Sequence, residues 1–339
     1  MNTQILILVD YLHFLRNDLN RTSSLNLDTI QSLLTENGFT VEIKSFQEIT
    51  KTNSIPKNKF IWYAGSDFAS YKAYIEDILH YIKQDNHLIP PFDILRAHNN
   101  KGYQYLLRKK LALPSLIEYY FGTYEELDKI IGLLKFPIVL KKPSGAGSIN
   151  VRLIRSRSEL VRVVKKLSRK STFITDLLKR QLKRYIFTHK YTYDNSRESL
   201  YYGNFILQEF IPGLKNDWKV LVFYDKYYVL EREVRSNDFR ASGSGKWFYR
   251  DFEPGLLDFS KEIFEKLHTP WISLDICFDG HSYQFLEFQG VNFGPVTLQK
   301  APYYFTLADD NRWQKIEEPS DLSSAYAHAL VKYIKRFYT

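Results

Sequence analysis

Two short apolar segments separated by an Asp-Gly pair constrain this chain more than any other feature of its sequence. The segments are Trp271–Phe278 and Tyr283–Phe288, and Asp279-Gly280 lies between them. An Asp-Gly pair in this setting is a strong signal for a β-hairpin. The region from Trp271 to Gly294 is therefore predicted to be two antiparallel strands joined by a tight turn.

Each strand of this predicted hairpin carries one acid among apolar neighbours, Asp275 in the first and Glu287 in the second. A hairpin can place both carboxylates on one face, with the amides of Gln289 and Asn292 just beyond. Mg²⁺ prefers oxygen ligands of this kind, shared with substrate phosphates. The alternative is a pair of edge-strand acids that point into solvent.

Composition limits the remaining possibilities. The chain has 339 residues, enough for two or three packed units, and its single cysteine, Cys277, excludes an internal disulfide and a cysteine-based zinc cluster. No apolar run is long enough to span a membrane, and the N-terminus lacks the features of a signal peptide, so we expect a cytoplasmic protein.

The net charge of +9 is concentrated in residues 161–190, which hold ten Lys/Arg and one acid. Because the excess is local, the high pI alone does not imply a nucleic acid partner.

The first hundred residues alternate between strand and helix patterns. Ile5–Val9, Thr40–Phe46 and Phe60–Tyr63 are predicted strands, and Leu25–Asn37 and Tyr71–Lys83 are predicted helices. This alternation indicates an open α/β domain over residues 1–97.

A second unit, residues 98–204, contains a strand that ends on two lysines, Lys141 and Lys142, followed by a small-residue loop, 144–148, and a second strand. A loop of this type lets backbone N–H groups approach a phosphate, although it is not a Walker loop. The alternative is a flexible hairpin tip. The unit also includes the basic segment 161–190, in which Leu177–Ile186 has the pattern of a basic amphipathic helix.

A third unit, residues 205–339, is predicted to hold the strand 206–211, a hairpin across Asp225-Lys226, an arginine-rich loop, the helix Leu256–Leu267, the Asp275/Glu287 hairpin and a C-terminal helix.

Taken in order, these segments resemble the ATP-grasp superfamily of carboxylate–amine ligases, such as glutathione synthetase, D-alanine–D-alanine ligase and the ribosomal-protein glutamate ligases. The resemblance covers about residues 95–300. It is carried by Asn100-Lys101, FPIVLKKPSGAGSINV, ILQEFIPG with Asp217, NDFRASGSG, and SLDI followed by LEFQ. It implies a mixed α/β and α+β fold, in which an N-terminal open α/β domain precedes two α+β lobes that enclose ATP.

The resemblance also implies residue roles. Lys101 and Lys142, with Lys141 as the close alternative, would contact phosphates, and the loop residues Ser144, Gly145 and Gly147 would cover them. Gln208, Glu209, Phe210 and Ile211 would bind adenine, and Asp217 would bind ribose. Arg240 would stabilise an acyl phosphate, and Lys142 would assist it. Asp275 and Glu287 would hold Mg²⁺ or Mn²⁺. The family usually has Glu-x-Asn where this chain has Glu287-Phe288-Gln289, so Gln289 is the favoured third ligand and Asn292 the alternative.

The implied reaction converts a substrate carboxylate into an acyl phosphate at the expense of ATP and joins it to an amine. The substrates would be small molecules or peptides, with surface-glycan biosynthesis as one direction. The acceptor pocket would use Arg232, Arg235, Ser242, Gly243 and Asn292. Two alternatives stay open: a macrocyclising peptide maturase that recognises a leader peptide, and a nucleotide-binding protein without ligase activity. A homodimer would be consistent with this family.

Overall fold

The computed structural model describes residues 3–15, 24–52, 55–145, 150–169, 172–186, 198–236 and 238–338. These residues form two compact units: residues 1–115 together with 213–339, called unit 1, and residues 116–212, called unit 2. The three-part division predicted from the sequence, 1–97, 98–204 and 205–339, follows chain order and stays a prediction.

The N-terminal part of unit 1 is an open parallel sheet. Its strand order is β2-β1-β3-β4, and β1 pairs in parallel with both β2 and β3. The fully buried run Ile5–Val9 explains why β1 is central, since a strand covered on both sides is continuously apolar. The elements are β1 (Gln4–Val9), α1 (Leu27–Glu36), β2 (Thr40–Ser45), α2 (Phe46–Lys51), β3 (Phe60–Tyr63), α3 (Ala69–Ile82), β4 (His87–Ile89), α4 (Phe92–Ala97) and α5 (Lys101–Lys110). The predicted open α/β arrangement is confirmed, and its bounds as a separate domain, 1–97, stay a prediction.

The C-terminal part of unit 1 is a seven-stranded sheet in the order β13-β12-β9-β10-β14-β15, with β11 also paired to β10. The predicted hairpins across Asp225-Lys226 and Asp279-Gly280 are both present as antiparallel pairs. The elements are β9 (Asn216–Phe223), β10 (Lys226–Glu233), β11 (Trp247–Phe248), α9 (Leu256–Leu267), β12 (Trp271–Phe278), β13 (Tyr283–Gln289), α10 (Val296–Gln299), β14 (Tyr304–Leu307), β15 (Trp313–Ile316) and α11 (Leu322–Tyr338); β5 to β8 and α6 to α8 lie in unit 2.

Alternation along β9 separates two environments within unit 1. Trp218, Val220 and Val222 pack on one core with α9. On the opposite face, Leu221 and Phe223 join a second core, which is shared with the parallel sheet and α11. That face changes from apolar to charged at Lys219, where the candidate site begins.

Unit 2 contains an antiparallel sheet in the order β5-β8-β6-β7. Its core includes Ile138, Leu140, Phe205 and Leu207. The α-helix that begins at Tyr124 ends at Asp128, and a 3₁₀ turn, Ile131–Leu133, follows it. The elements are β5 (Glu118–Thr123), α6 (Tyr124–Asp128), β6 (Ile138–Lys141), β7 (Val151–Ile154), α7 (Arg157–Leu167), α8 (Phe173–Tyr185) and β8 (Tyr202–Glu209). In the part of the chain described here, no helix combines the length and the apolar composition needed to cross a membrane.

Candidate active site

The hairpin β12–β13 places the two predicted metal acids side by side. Asp275 lies directly opposite Glu287 in the strand register, and the register shifts by a β-bulge immediately after Asp275. Directly opposed residues of an antiparallel pair project from the same face of the sheet. The predicted common face for the two acids is therefore present in the structure.

Strands β9 and β10 extend this row of charges. Lys219 lies opposite Asp275 on β12, and Asp217 lies opposite Arg232 on β10. Because side chains two positions apart share a face, Asp217 and Lys219 project from the same side of β9. Strand pairing thus collects charged side chains that are far apart in sequence.

Ion pairs connect these residues. Arg232 binds Asp217 through two hydrogen bonds, with Nε–Oδ1 at 2.6 Å and Nη2–Oδ2 at 3.0 Å, and its Nη2 lies 3.1 Å from Asp275 Oδ2. Lys219 Nζ lies 3.6 Å from Asp275 Oδ1, and Lys101 Nζ lies 3.0 Å from Glu287 Oε1. Three acids and three cations therefore balance one another in what we call the charge cluster: Lys101, Asp217, Lys219, Arg232, Asp275 and Glu287.

Burial is the largest single influence on the buried members of the charge cluster. It raises the pKa of Asp217 despite the adjacent Arg232, and it lowers the pKa of Lys219 despite the adjacent Asp275. Burial opposes ionisation of Asp275 as well, but Arg232 and Lys219 together hold the pKa of Asp275 below its usual range. Asp275 is therefore ionised at neutral pH and available as an anionic ligand.

Helix α5 packs its buried face against β13 and fixes the position of Glu287. Gln104 donates from Nε2 to the Phe288 carbonyl at 2.8 Å, and Arg108 donates to the Leu286 carbonyl at 3.2 Å. The positions of Lys101, Gln104 and Arg108 share one face of the helix because they are spaced three and four residues apart. Both neighbours of Glu287 are thus held by α5, while Lys101 contacts its carboxylate.

The two candidates for the third oxygen ligand occupy different places. Gln289 is the last residue of β13 and lies opposite the buried Ser273, on the face of Glu287. Asn292 is buried, and a Cβ on Gly65 would come within 2.6 Å of its Oδ1, which has no hydrogen-bond partner among the described residues. Asn292 therefore faces the end of β3, whereas Gln289 continues the strand face that carries the acids.

The arginine-rich loop is held by local contacts. Arg235 donates to the Ser242 carbonyl at 2.7 Å, and the Arg235 amide donates to the Arg240 carbonyl. Arg240 forms a hydrogen-bonded ion pair with Asp238, at 2.6 Å from Nη2 to Oδ2, which lowers the pKa of Asp238. Gly243 adopts a φ of 74°, which favours glycine. Arg232, predicted as a substrate residue with this group, is a member of the charge cluster, and its substrate role stays a prediction.

The sheet of unit 2 carries the predicted nucleotide residues. Gln208 is buried and donates to the Glu118 carboxylate, its partner across β5 and β8. Ile138 and Leu140 belong to the core, so Lys141 projects from the opposite face of β6, the face on which Gln208 lies opposite Val139. Lys142 follows the end of the strand, and its amide donates to the Asn150 carbonyl at 3.1 Å.

The small-residue loop is closed by Asn150, which donates from Nδ2 to the Ser144 carbonyl at 3.0 Å. Gly145 adopts a φ of 123°, and a Cβ there would come within 2.6 Å of Asn150 Nδ2. A side chain is therefore excluded at position 145 both by conformation and by space. Gly147, also predicted in this loop, lies outside the described residues. At the far end of β8, the Glu209 amide donates to the Ile117 carbonyl at 2.9 Å, and Phe210 and Ile211 are half-buried.

Sequence reasoning missed several participants in this region, namely Lys219, Gln104, Arg108 and the His98–Asp67 pair. His98 is buried at the end of α4, with Nε2 3.2 Å from Asp67 Oδ1, and Lys72 donates to its carbonyl oxygen. Lys219 could have been noticed in the sequence, because it is a lysine between apolar residues of β9. Its pairing with Asp275, however, depends on the order of the strands in the sheet.

The oxygen ligands present here fit a magnesium site that is completed by substrate phosphates and water better than a site made of protein groups alone. No group of three or more His, Cys, Asp or Glu side chains is placed to hold a metal ion within the described residues. Mg²⁺, however, is usually bound by one or two carboxylates together with substrate phosphates and water. The opposed carboxylates of Asp275 and Glu287 supply that partial set.

Comparison with solved structures identifies the architecture. D-cycloserine synthetase DcsG matches with a TM-score of 0.54 at 12% identity, over 97% of this chain and 99% of that one. A Chryseobacterium gregarium RiPP-associated ATP-grasp ligase, in complex with ADP and a leader and core peptide, matches with a TM-score of 0.52 at 14% identity, over 98% and 97% of the two chains. The chain has the ATP-grasp fold.

Sequence comparison adds no closer relative, since neither a family model nor a curated protein matches. The structure of purK, N5-carboxyaminoimidazole ribonucleotide synthetase, in complex with ADP also matches, with a TM-score of 0.52 at 12% identity over 89% of this chain and 73% of that one. The predicted fold is confirmed by these matches, and the roles of individual residues remain predictions.

Proposed function

We propose that this protein is an ATP-dependent carboxylate–amine ligase. The single observation that carries the proposal is the pairing of Asp275 with Glu287 across one hairpin of an ATP-grasp fold, amid three cations of the charge cluster. A site that combines paired carboxylates with lysine and arginine suits an anionic, metal-bound substrate such as ATP.

In this proposal, Asp275 and Glu287 hold Mg²⁺, with Gln289 as the third oxygen donor. When bound, Mg²⁺ neutralises charge on the phosphates during phosphoryl transfer. Lys101 and either Lys141 or Lys142 contact phosphate oxygens, and Gln208–Ile211 bind the adenine. Asp217, whose two oxygens are engaged by Arg232, orients that arginine, a role we prefer to ribose binding.

The proposed reaction has two steps. An oxygen of the substrate carboxylate attacks the γ-phosphorus of ATP, the bond to the bridging oxygen breaks, and ADP leaves. The amine then attacks the acyl carbon, phosphate departs, and the amine loses a proton. Arg240 contributes its planar guanidinium to the transferring phosphoryl group, a geometry that suits two phosphate oxygens. The chain's main contribution is positioning and charge neutralisation.

Calorimetry with Mg·ATP and a coupled assay for ADP release test this proposal. The assay screens small carboxylates and amines, including acidic sugars, and carboxylate-bearing peptides, with mass spectrometry of any product. We expect Mg-dependent nucleotide binding in the wild-type protein and loss of product formation in Glu287→Gln. Glutamine is nearly isosteric and can accept a hydrogen bond from Lys101, so the fold should survive.

Glu262→Gln is a matched control, because Glu262 is also paired with a lysine, Lys266 at 2.7 Å, but on an exposed helix face. It should leave both binding and turnover unchanged. Folded protein that binds neither Mg·ATP nor Mg·ADP would exclude the nucleotide proposal. Binding without ADP release for any substrate pair would indicate a nucleotide-binding protein, and full turnover in Glu287→Gln at saturating Mg²⁺ would exclude the metal assignment.

A further inference from the structure

Helix α8 is amphipathic, but its described side chains are oriented against the usual pattern. It spans Phe173–Tyr185, and none of its residues is buried. A surface helix of a globular protein normally turns its apolar stripe toward the core. Here the apolar stripe is the exposed side.

The side of α8 that faces the rest of unit 2 is mostly charged. The half-buried residues of the helix are Phe173, Asp176, Arg180 and Lys183. Phe173 packs against Tyr201 with ring centroids 5.7 Å apart, and the Arg169 guanidinium lies over its ring at 4.0 Å. Arg180 lies 3.9 Å from Glu198. One aromatic anchor and charged contacts therefore hold the helix in place.

The opposite side presents large apolar side chains to solvent. Leu178 is 57% exposed, Leu182 45% and Ile186, the residue after the helix, 64%. These residues are four apart and lie along one stripe, to which Ile174 at 66% and Tyr185 at 71% also belong. Single exposed apolar residues are common, but a contiguous stripe of this kind marks an interaction surface.

Cations border this apolar stripe. Lys179 and Arg184, which both belong to α8, are exposed. The segment 161–190 carries the whole net positive charge of the chain. The partner of this surface is therefore expected to combine an apolar interior with negative charge.

We propose that α8 binds an anionic lipid surface, lying in the plane of the interface with its apolar stripe inserted and its cations against the headgroups. A helix with a pronounced apolar face, low overall hydrophobicity and lysine and arginine on its polar side has the composition of an interfacial helix. The apolar side chains of the stripe are 45–71% exposed, so the stripe protrudes as a ridge, whereas peptides are usually bound in grooves. A lipid surface accommodates a ridge without needing a complementary wall. This inference does not depend on the ligase proposal.

Co-sedimentation of the whole 339-residue chain with vesicles tests the inference. We expect binding to vesicles of phosphatidylcholine and phosphatidylglycerol in equal parts, and much weaker binding to phosphatidylcholine alone. The triple variant Leu178→Gln/Leu182→Gln/Ile186→Gln should reduce the partition coefficient by at least about a hundredfold. Lys179→Ala/Arg184→Ala should reduce it by about tenfold or more, and raised salt should have the same effect.

Leu133→Gln is the matched control, because Leu133 is 79% exposed in unit 2 outside α8 and its loss should leave binding unchanged. Circular dichroism checks that the variants are folded. Equal binding by the wild-type protein and the triple variant would overturn the proposal. So would wild-type protein that ignores both vesicle types and forms a dimer that the triple variant abolishes, since the stripe would then bind a second copy of the chain.

Discussion

The seven-stranded sheet of unit 1 packs on two hydrophobic cores and the four-stranded sheet of unit 2 packs on one, and the two sheets hold their polar residues by different means. In unit 1, cross-strand ion pairs connect Asp217, Arg232, Asp275 and Lys219. In unit 2, Gln208 and Glu118 share a hydrogen bond, and the loop at Gly145 is shaped by backbone conformation. Removing the Arg232 charge from the first sheet should therefore disturb both folding and chemistry, whereas changes in the second sheet should act mainly on ligand affinity.

The largest effect is expected for Arg232→Met. This substitution leaves Asp217 and Asp275 buried without their arginine, and removal of one partner from a buried ion pair typically costs about 3–5 kcal/mol. We expect a loss of that size in the free energy of unfolding, measured by urea denaturation.

Arg250→Met is its control, because the acids that Arg250 contacts lie on β10 of the same sheet. Arg250 pairs with Glu233 at 3.1 Å and lies near Glu231, but its side chain is half exposed, so its loss should cost no more than about 1 kcal/mol. Equal losses in the two variants would show that the charge cluster is not held by buried ion pairs.

The next effect concerns turnover rather than stability. Arg240→Ala should lower kcat by about 10²–10³ and leave ATP affinity nearly unchanged, because charge on the transferring group develops after binding. Stopped assays of ADP release and calorimetry of Mg·ATP separate the two quantities.

Arg312→Ala is matched to this variant, because Arg312 pairs with Asp310 two residues earlier, as Arg240 does with Asp238. Arg312→Ala should leave turnover unchanged. An Arg240→Ala enzyme with wild-type kcat would remove Arg240 from the mechanism.

The short-range features of this molecule could be predicted, and the long-range ones could not. The hairpin of Asp275 and Glu287 follows from local alternation and an Asp-Gly turn, and the open α/β domain follows from strand and helix periods. Lys219 and Arg232 depend on the pairing of β9 with β10 and β12, which no local pattern specifies. The amphipathic character of α8 was likewise visible, but the face that it turns outward is decided by contacts with Tyr201 and Glu198.

A smaller effect should distinguish the two lysines of unit 2. The resemblance to ATP-grasp ligases favours Lys142 as the phosphate ligand, whereas strand alternation places Lys141 on the face of the sheet opposite the core. We expect Lys141→Met to weaken Mg·ATP binding by about tenfold, the size of one charge-assisted hydrogen bond, and Lys142→Met to weaken it less. Each variant is the control for the other in calorimetry of Mg·ATP binding. A larger loss of affinity in Lys142→Met than in Lys141→Met would support Lys142 as the phosphate ligand.

The smallest effect is a pH dependence of stability that arises from His98, outside the charge cluster. Burial lowers the pKa of His98 from its ordinary value of 6.5, more than Asp67 raises it, with Lys72 also lowering it and Glu287 raising it. The folded state therefore binds fewer protons than the unfolded state once the pH falls below about 6.5, where a free histidine begins to charge. The free energy of unfolding should decrease as the pH is lowered from 7 toward the depressed pKa of the folded state.

His98→Asn removes the titrating group while retaining a side chain that can bond to Asp67, so the decrease between about pH 6.5 and 5 should become shallower. His281→Asn, on the exposed turn of the β12–β13 hairpin, should leave the profile of the wild-type protein unchanged. Parallel profiles for the wild-type and His98→Asn proteins would show that His98 is not held neutral by burial.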